Sequence, residues 1–147
     1  MNEIVWKFPE PMVLMPLPDG RYWAFWRDFP IYRNGLMKII PRGFMLDGAS
    51  SGFFRALVPA WGAYAVAVAN HDFDYWFQLV PRQHADDDCL SIMIACGVSW
   101  AQREEIYQAV RLFGQYDWNL NRAERMKNPD ARTFDFSKPA LWGQCNA

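Results

Sequence analysis

Two dipeptides in the first third of the chain restrict its local fold more than any other feature. Asp19-Gly20 and Asn34-Gly35 both supply the positive φ angles that tight hairpin turns need. Each dipeptide separates two runs rich in apolar and aromatic residues, at 12–17 and 21–26 and at 31–33 and 36–40. The pattern predicts two antiparallel hairpins that form one small sheet, followed by a short strand at 43–46.

Helical spacing replaces the strand pattern after residue 50. We expect a short helix at 51–57, a longer one at 61–79, and a third that begins around Pro81 and ends at Gly97. The third helix carries apolar residues at helical spacing, namely Ala85, Cys89, Ile92 and Cys96.

A capping box of Ser99 and Gln102 predicts one more helix. Its inner face carries Ile106, Val110 and Phe113, and Gly114 either ends the helix or lies within it. Together the patterns give an α+β fold class, with N-terminal antiparallel β-hairpins packed on a C-terminal bundle of three to four helices.

The predicted single domain spans residues 1–118. The chain becomes polar after Trp118. We therefore expect 119–147 to be a C-terminal arm or strap, packed either on the domain itself or on a partner.

The composition is that of a globular protein without a strong charge bias. Hydrophobic residues make up 52% of the chain and charged residues 21%, and the net charge is −1. No basic surplus exists to bind a phosphate backbone, so nucleic-acid binding is not expected. The apolar run at 63–69 is too short to span a bilayer, which argues against membrane insertion. The three cysteines form no CxxC pair, as expected for synthesis in a reducing cytoplasm.

Four polar residues predict a cluster between two neighbouring helices. His71 and Asp72 lie in the middle of a predicted helix, where polar side chains need partners. In the next helix Arg82 precedes Asp86 by four residues, within ion-pair reach. If the two helices form a hairpin, Asp72 and Asp86 approach each other with His71 and Arg82 nearby. Such a cluster either fixes how the helices meet or performs acid–base catalysis with His71, Asp72 and Asp86, and we favour the structural network.

The loop that leaves the predicted sheet contains Asp47 and Ser50. These residues either hold a strand-to-helix turn, which we favour, or place Asp47 as a third carboxylate near the cluster. No cofactor is expected, although a divalent cation would find its ligands in Asp47, Asp72 and Asp86. A three-histidine zinc site is excluded because the chain has two histidines. The remaining polar residues of this region, His84, Asp87 and Asp88, are expected to face solvent.

The order of several motifs resembles domain-of-unknown-function family 1353, a phage and prophage family. The motifs are RGFMLDGASSGFF, WGAY, HDFDY, RQHAD, GVSW and YQAVRLFG, and the resemblance covers about 41–114. It implies that the polar positions shared in the family fall on Asp47, Ser50, His71, Asp72, Tyr75, Arg82 and Asp86. It also implies a phage genomic setting, without an established activity.

Aromatic residues make up 17% of the chain, so some rings are expected at the surface, where they commonly contact partners. With the resemblance, this favours a structural or adaptor protein of the virion tail or tail-fibre region. Such a protein would be made in the host cytoplasm and would contact other phage virion proteins in a multi-copy assembly. Two other hypotheses stay open: a small metal-dependent or His/Asp hydrolase acting on a cell-envelope substrate, and a phage protein that binds a host factor. The sequence favours a non-enzymatic role.

Overall fold

A computed structural model describes residues 3–47 and 62–138 of the chain. Antiparallel strands in two small sheets come first, and three helices follow within the described residues. The strands are β1 (Trp6–Lys7), β2 (Leu14–Pro16), β3 (Trp23–Phe25), β4 (Phe29–Arg33), β5 (Leu36–Ile40) and β6 (Met45–Leu46). The helices are α1 (Ala65–Phe77), α2 (Arg82–Ala95) and α3 (Trp100–Lys127). The predicted α+β class is confirmed.

Both predicted hairpins form. β2 pairs with β3, and β4 pairs with β5, each in antiparallel register. Gly20 has φ 69°, and Asn34 and Gly35 have φ 50° and 82°, the region that tight hairpin turns require. The sequence therefore located the turns correctly.

The prediction of one sheet is wrong, because each hairpin recruits a different third strand. The sheet orders are β1-β4-β5 and β2-β3-β6. β1 pairs with β4 on the side away from β5. β6, which lies within the predicted short strand at 43–46, pairs with β3. β3 and β4, which follow each other in the chain, are therefore each paired on both sides, but in separate sheets.

The two sheets share a core with α1. Its buried side chains are Phe25, Phe29, Ile31, Ile40, Phe44 and Leu46 from the sheet region and Ala69, Phe73 and Trp76 from α1. Burying one large apolar side chain contributes roughly 1.5–3 kcal/mol. This shared core fixes the orientation of α1, the helix that carries His71 and Tyr75.

The helix ends follow the local signals. α1 ends at Gln78, which has φ 53°, and α2 begins after Pro81, whose φ of −60° suits a helix start. Gly97 follows α2 with φ 73°. Ser99 caps α3 by accepting a hydrogen bond from the Gln102 amide at 3.4 Å. The predicted helix at 51–57 and the predicted start of α1 at Trp61 lie outside the described residues.

α3 is longer than the sequence predicts, and Gly114 lies within it. The boundary expected after Trp118 falls inside this helix, because Trp118 is buried and packs edge-on against Tyr75 at 5.1 Å between ring centroids. Phe113 was expected on the inner face but is 54% exposed, whereas Ile106 and Val110 are buried.

The segment after α3 returns to the sheets. Thr133 forms an antiparallel bridge with Phe44, and Phe134 packs with Leu17 and Ala24. Part of the expected strap therefore packs on its own chain, and residues 139–147 lie outside the described part. None of the described helices is both long and apolar enough to cross a membrane.

Candidate functional site

The carboxylate of Asp86 lies at the junction of all three helices and is fully buried. Its Oδ1 accepts hydrogen bonds from Tyr75 Oη at 2.7 Å and from His71 Nε2 at 2.8 Å. Its Oδ2 accepts from Arg111 Nη1 at 2.8 Å and from Arg82 Nη1 at 3.0 Å. We call these five residues the Asp86 cluster.

Helical spacing explains how the Asp86 cluster forms. His71 and Tyr75 are four residues apart on α1, as Arg82 and Asp86 are on α2, so each pair lies on one helix face. Arg111 reaches Asp86 from α3 and was missed, because no local spacing links it to the other four residues. Its only sequence signal is its position directly after Val110, a core residue of α3.

The environment of Asp86 keeps it ionised. Burial raises the pKa of this carboxyl, but hydrogen bonds from His71, Tyr75 and Arg111 outweigh burial and hold the pKa below its usual range. Burial, with the adjacent Asp86 charge, strongly raises the pKa of the Tyr75 phenol. An ionised carboxylate only accepts hydrogen bonds, so Nε2 of His71 carries a proton and donates it to Asp86.

Asp72 forms no hydrogen bond with the Asp86 cluster among the described residues, and the expected approach of Asp72 to Asp86 stays a prediction. Oδ2 of Asp72 accepts a hydrogen bond from the Asp47 backbone amide at 3.0 Å. Asp47 is buried and pairs with Arg21 at 3.3 Å and with Arg132 at 3.6 Å. Burial and the nearby Asp72 charge raise the pKa of Asp47. Ser50 lies outside the described residues.

A cavity of about 80 Å³ connects these two groups of side chains. His71 and Tyr75 line it from the Asp86 cluster, and Asp47 and Asp72 line it from the other side. Four of the polar positions implied by the resemblance therefore line one space, whereas Arg82 and Asp86 are not among its lining residues. Cys89 also lines the cavity, but burial raises the pKa of its thiol, which makes it a poor nucleophile.

One face of α3 completes the cavity wall. Gly114, Asp117, Asn121 and Glu124 recur at helical spacing and all line the cavity. Asp117, Asn121 and Glu124 were not predicted as site residues, and the last two lie beyond the domain boundary expected at residue 118. The continuation of the helical polar pattern to Glu124 is the signal that could have revealed them.

Asp47, Asp72 and Asp86, the expected ligands of a divalent cation, do not form a metal-binding group among the described residues. Both oxygens of Asp86 already accept hydrogen bonds from cluster donors. Within residues 3–47 and 62–138, no three His, Cys, Asp or Glu side chains come together in a way that could hold a metal ion.

The remaining polar residues of α2 differ in exposure. Asp87 is exposed, as expected, and His84 is half-buried, with its Nε2 3.5 Å from an oxygen of Asp88. Asp88 was expected to face solvent but is buried, because Arg33 of β4 reaches across to form an ion pair at 3.0 Å. On the opposite side of α1, buried Asp74 pairs with Lys38 at 2.7 Å. These pairs join the sheet to the helices and lie outside the cavity wall.

The fold and the site define a small α+β domain whose helices enclose a charged cavity beside a buried histidine–aspartate pair. The family model "Protein of unknown function (DUF1353)" matches residues 23–110, which is more than half of the chain. The chain therefore belongs to the DUF1353 family. No curated protein and no solved structure matches it at a significant level.

Proposed function

We propose that this protein is a small hydrolase in which His71 acts as general base at the cavity. The observation that carries the proposal is the position of His71, which lines the cavity with one side of its ring and donates to buried Asp86 with Nε2. A histidine oriented by a carboxylate is a common arrangement for activating water.

Each member of the Asp86 cluster has a role in the proposed reaction. Nδ1 of His71 takes a proton from a water molecule in the cavity, and this water attacks the substrate carbonyl to form a tetrahedral intermediate. The intermediate then breaks its bond to the leaving group, which takes the proton from His71 as it departs. Asp86 stabilises the imidazolium that forms and, because its pKa is held low, remains ionised while it does so. Tyr75, Arg82 and Arg111 are positioning residues, since they fix the carboxylate that orients His71.

Replacing His71 tests the proposal. The wild-type protein and His71→Gln would be incubated with purified cell-envelope material, namely peptidoglycan fragments and phospholipid vesicles, and mass spectrometry would detect cleaved bonds. We expect cleavage by the wild type and a loss of at least a hundredfold in rate for His71→Gln, the usual range for a general base.

His84→Gln is the matched control, because His84 is the other histidine of the chain, is half-exposed on α2 and does not line the cavity. It should cleave at the wild-type rate. Circular dichroism would verify that both variants are folded. Equal rates for folded His71→Gln and the wild type would refute the general-base role.

A second candidate function is that of a virion adaptor in the tail or tail-fibre region, and an exposed apolar stripe on α3 favours it. Leu112, Tyr116 and Leu120 are four residues apart and are 71%, 72% and 43% exposed, with Phe113 beside them. Contiguous exposed apolar side chains are typical of protein interfaces. In this proposal the stripe contacts other phage virion proteins in a multi-copy assembly.

Mass spectrometry of purified virions tests the adaptor proposal. The phage would carry either the wild-type gene or one with Leu112→Lys and Tyr116→Lys. We expect the wild-type protein in fixed stoichiometry with tail proteins and loss of the variant from virions, because two charges would oppose burial of the stripe. Virions that contain no copy of the wild-type protein would remove this candidate.

A further inference from the structure

We propose that two copies of this chain pair through β5, antiparallel and across a two-fold axis, so that their sheets join edge to edge. The inference comes from the free edge of the sheet, the exposed side chains of β5 and their charges. It is independent of the two functions proposed above, because Met37 and Ile39 of β5 neither line the cavity nor belong to the apolar stripe of α3.

β5 is the longest edge strand of the two sheets, and no described segment covers it. Edges of natural sheets are usually short, contain proline or are covered by another segment. Among the described edges, β1 has two residues and β2 ends in Pro16. β6 is covered, since the Met45 amide donates to the Arg132 carbonyl at 2.9 Å. β5 has five residues and, among the described residues, pairs with β4 alone.

The two-residue turn between β4 and β5 determines which backbone groups of β5 face the free edge. Such a turn makes Arg33 and Leu36, the residues that flank it, a hydrogen-bonded pair. Hydrogen-bonded pairs alternate with non-bonded pairs along an antiparallel ladder. The N–H and C=O groups of Met37 and Ile39 therefore point away from β4, and no described residue bonds to them. An added strand binds to groups of this kind.

A second copy of β5 is a matching partner for this edge, because Met37 and Ile39 lie on either side of Lys38. With Lys38 on the two-fold axis, Met37 of one copy lies opposite Ile39 of the other, and the reverse. Each of these two pairs exchanges two backbone hydrogen bonds. All five residues of β5 then lie within the new ladder. A second copy therefore satisfies the free edge without any other segment.

The side chains and charges of β5 also favour pairing with a copy of itself. Met37 and Ile39 are 56% and 42% exposed, and they would contact each other across the new ladder. Lys38 carries the only charge of β5, and Asp74 of its own copy binds its ammonium group at 2.7 Å. The two Lys38 side chains that meet at the axis are thus each neutralised. The net charge of the chain is −1, so two copies repel each other only weakly.

Sedimentation of the full-length protein between micromolar and millimolar concentration tests the proposal. We expect a reversible dimer in this range, weak because a strand of five residues gives a small interface. Ile39→Pro should weaken the dimer by about tenfold or more, since proline lacks the N–H that faces the free edge but is tolerated on edge strands. Met37→Lys should weaken it by a similar factor, because it places a charge at the new contact. Met126→Lys, which changes an exposed apolar side chain of α3, should dimerise like the wild type.

Hydrogen exchange locates the interface. The amides of Met37 and Ile39 should exchange more slowly as the protein concentration rises, whereas the Lys38 amide, which faces β4, should be protected at every concentration. Circular dichroism would verify that the three variants are folded. A wild-type protein that remains monomeric at millimolar concentration would overturn the proposal. So would a dimer that both edge variants leave intact, or one in which the Met37 and Ile39 amides stay unprotected.

Discussion

Gly114 lies in the middle of α3, where its missing side chain leaves room for the Asp86 cluster. A Cβ atom at this position would lie 2.3 Å from the Tyr75 hydroxyl oxygen and 3.2 Å from Nη1 of Arg82. Both of those groups donate to Asp86. A glycine inside a helix costs about 1 kcal/mol relative to alanine, and here the hydrogen bonds that it permits offset that cost.

We therefore expect Gly114→Ala to destabilise the protein, although alanine is the better helix former. Overpacking costs about 1–3 kcal/mol, which exceeds the gain in helix propensity. In a Tyr75→Phe background the same change should cost less, because the hydroxyl group that the new methyl meets is absent. Urea unfolding of the four proteins of this double-mutant cycle measures the difference. Additive free energies of unfolding would show that Gly114 and Tyr75 do not interact in this way.

At the residue scale, the sequence predicted those contacts that depend only on the spacing of residues along one helix. The Arg82–Asp86 pair follows from a separation of four residues on one helix. Arg111 could not be predicted, because its contact with Asp86 depends on how α3 packs against α2. Asp88 was misplaced for the same reason, since its partner Arg33 belongs to β4.

The second half of α3 caps the end of α1. Nη1 of Arg125 donates to the backbone carbonyls of Trp76 and Phe77, which have no partner within their own helix. Gln78 adds a hydrogen bond to the Trp118 carbonyl at 2.7 Å. These contacts explain why the polar stretch after Trp118 remains helical up to Lys127.

Removing the cap should loosen the contact between α1 and α3. We expect Arg125→Ala to lower the free energy of unfolding by about 1.5–3 kcal/mol, the usual range for hydrogen bonds to a charged group. Arg122→Ala is the control, because Arg122 makes an exposed hydrogen bond to the Gln78 side chain and should cost less than about 1 kcal/mol. Chemical denaturation of both variants provides the measurement, and equal losses would contradict the capping role.

At the element scale, the turn dipeptides and helix caps predicted the hairpins and the helix starts. The pairing of the strands into two sheets was not predicted. β1 contains only two residues, too few to show an alternating pattern. The choice of two sheets instead of one depends on which strand occupies each free edge, and that is decided by tertiary packing.

Across the whole molecule, the buried carboxylates change the free energy of unfolding in opposite directions as the pH changes. Burial raises the pKa of Asp47 and Asp88, so these groups add stability below their ordinary pKa of 3.8 and lose it as the pH rises through the raised value. The pKa of Asp86 is lowered, so its contribution is present above 3.8 and is lost as the pH falls through the lowered value. The sum predicts a stability maximum in mildly acidic solution.

We expect the melting temperature to rise as the pH falls from neutral towards the ordinary pKa of aspartate, and to drop at lower pH. Asp47→Asn should show a smaller rise, because the amide does not titrate, while the drop due to Asp86 should persist. Melting curves of both proteins across this pH range test the prediction. An identical rise in the two proteins would show that Asp47 does not contribute.

The Asp86 cluster also has a consequence for how the protein opens. Because one carboxylate receives donors from α1, α2 and α3, no helix can leave the bundle without breaking hydrogen bonds to Asp86. The three helices should therefore unfold together, as one cooperative unit in hydrogen exchange. We then expect a ligand to reach the cavity without separation of the helices, for example by movement of Arg21, which lines the cavity and is half-exposed.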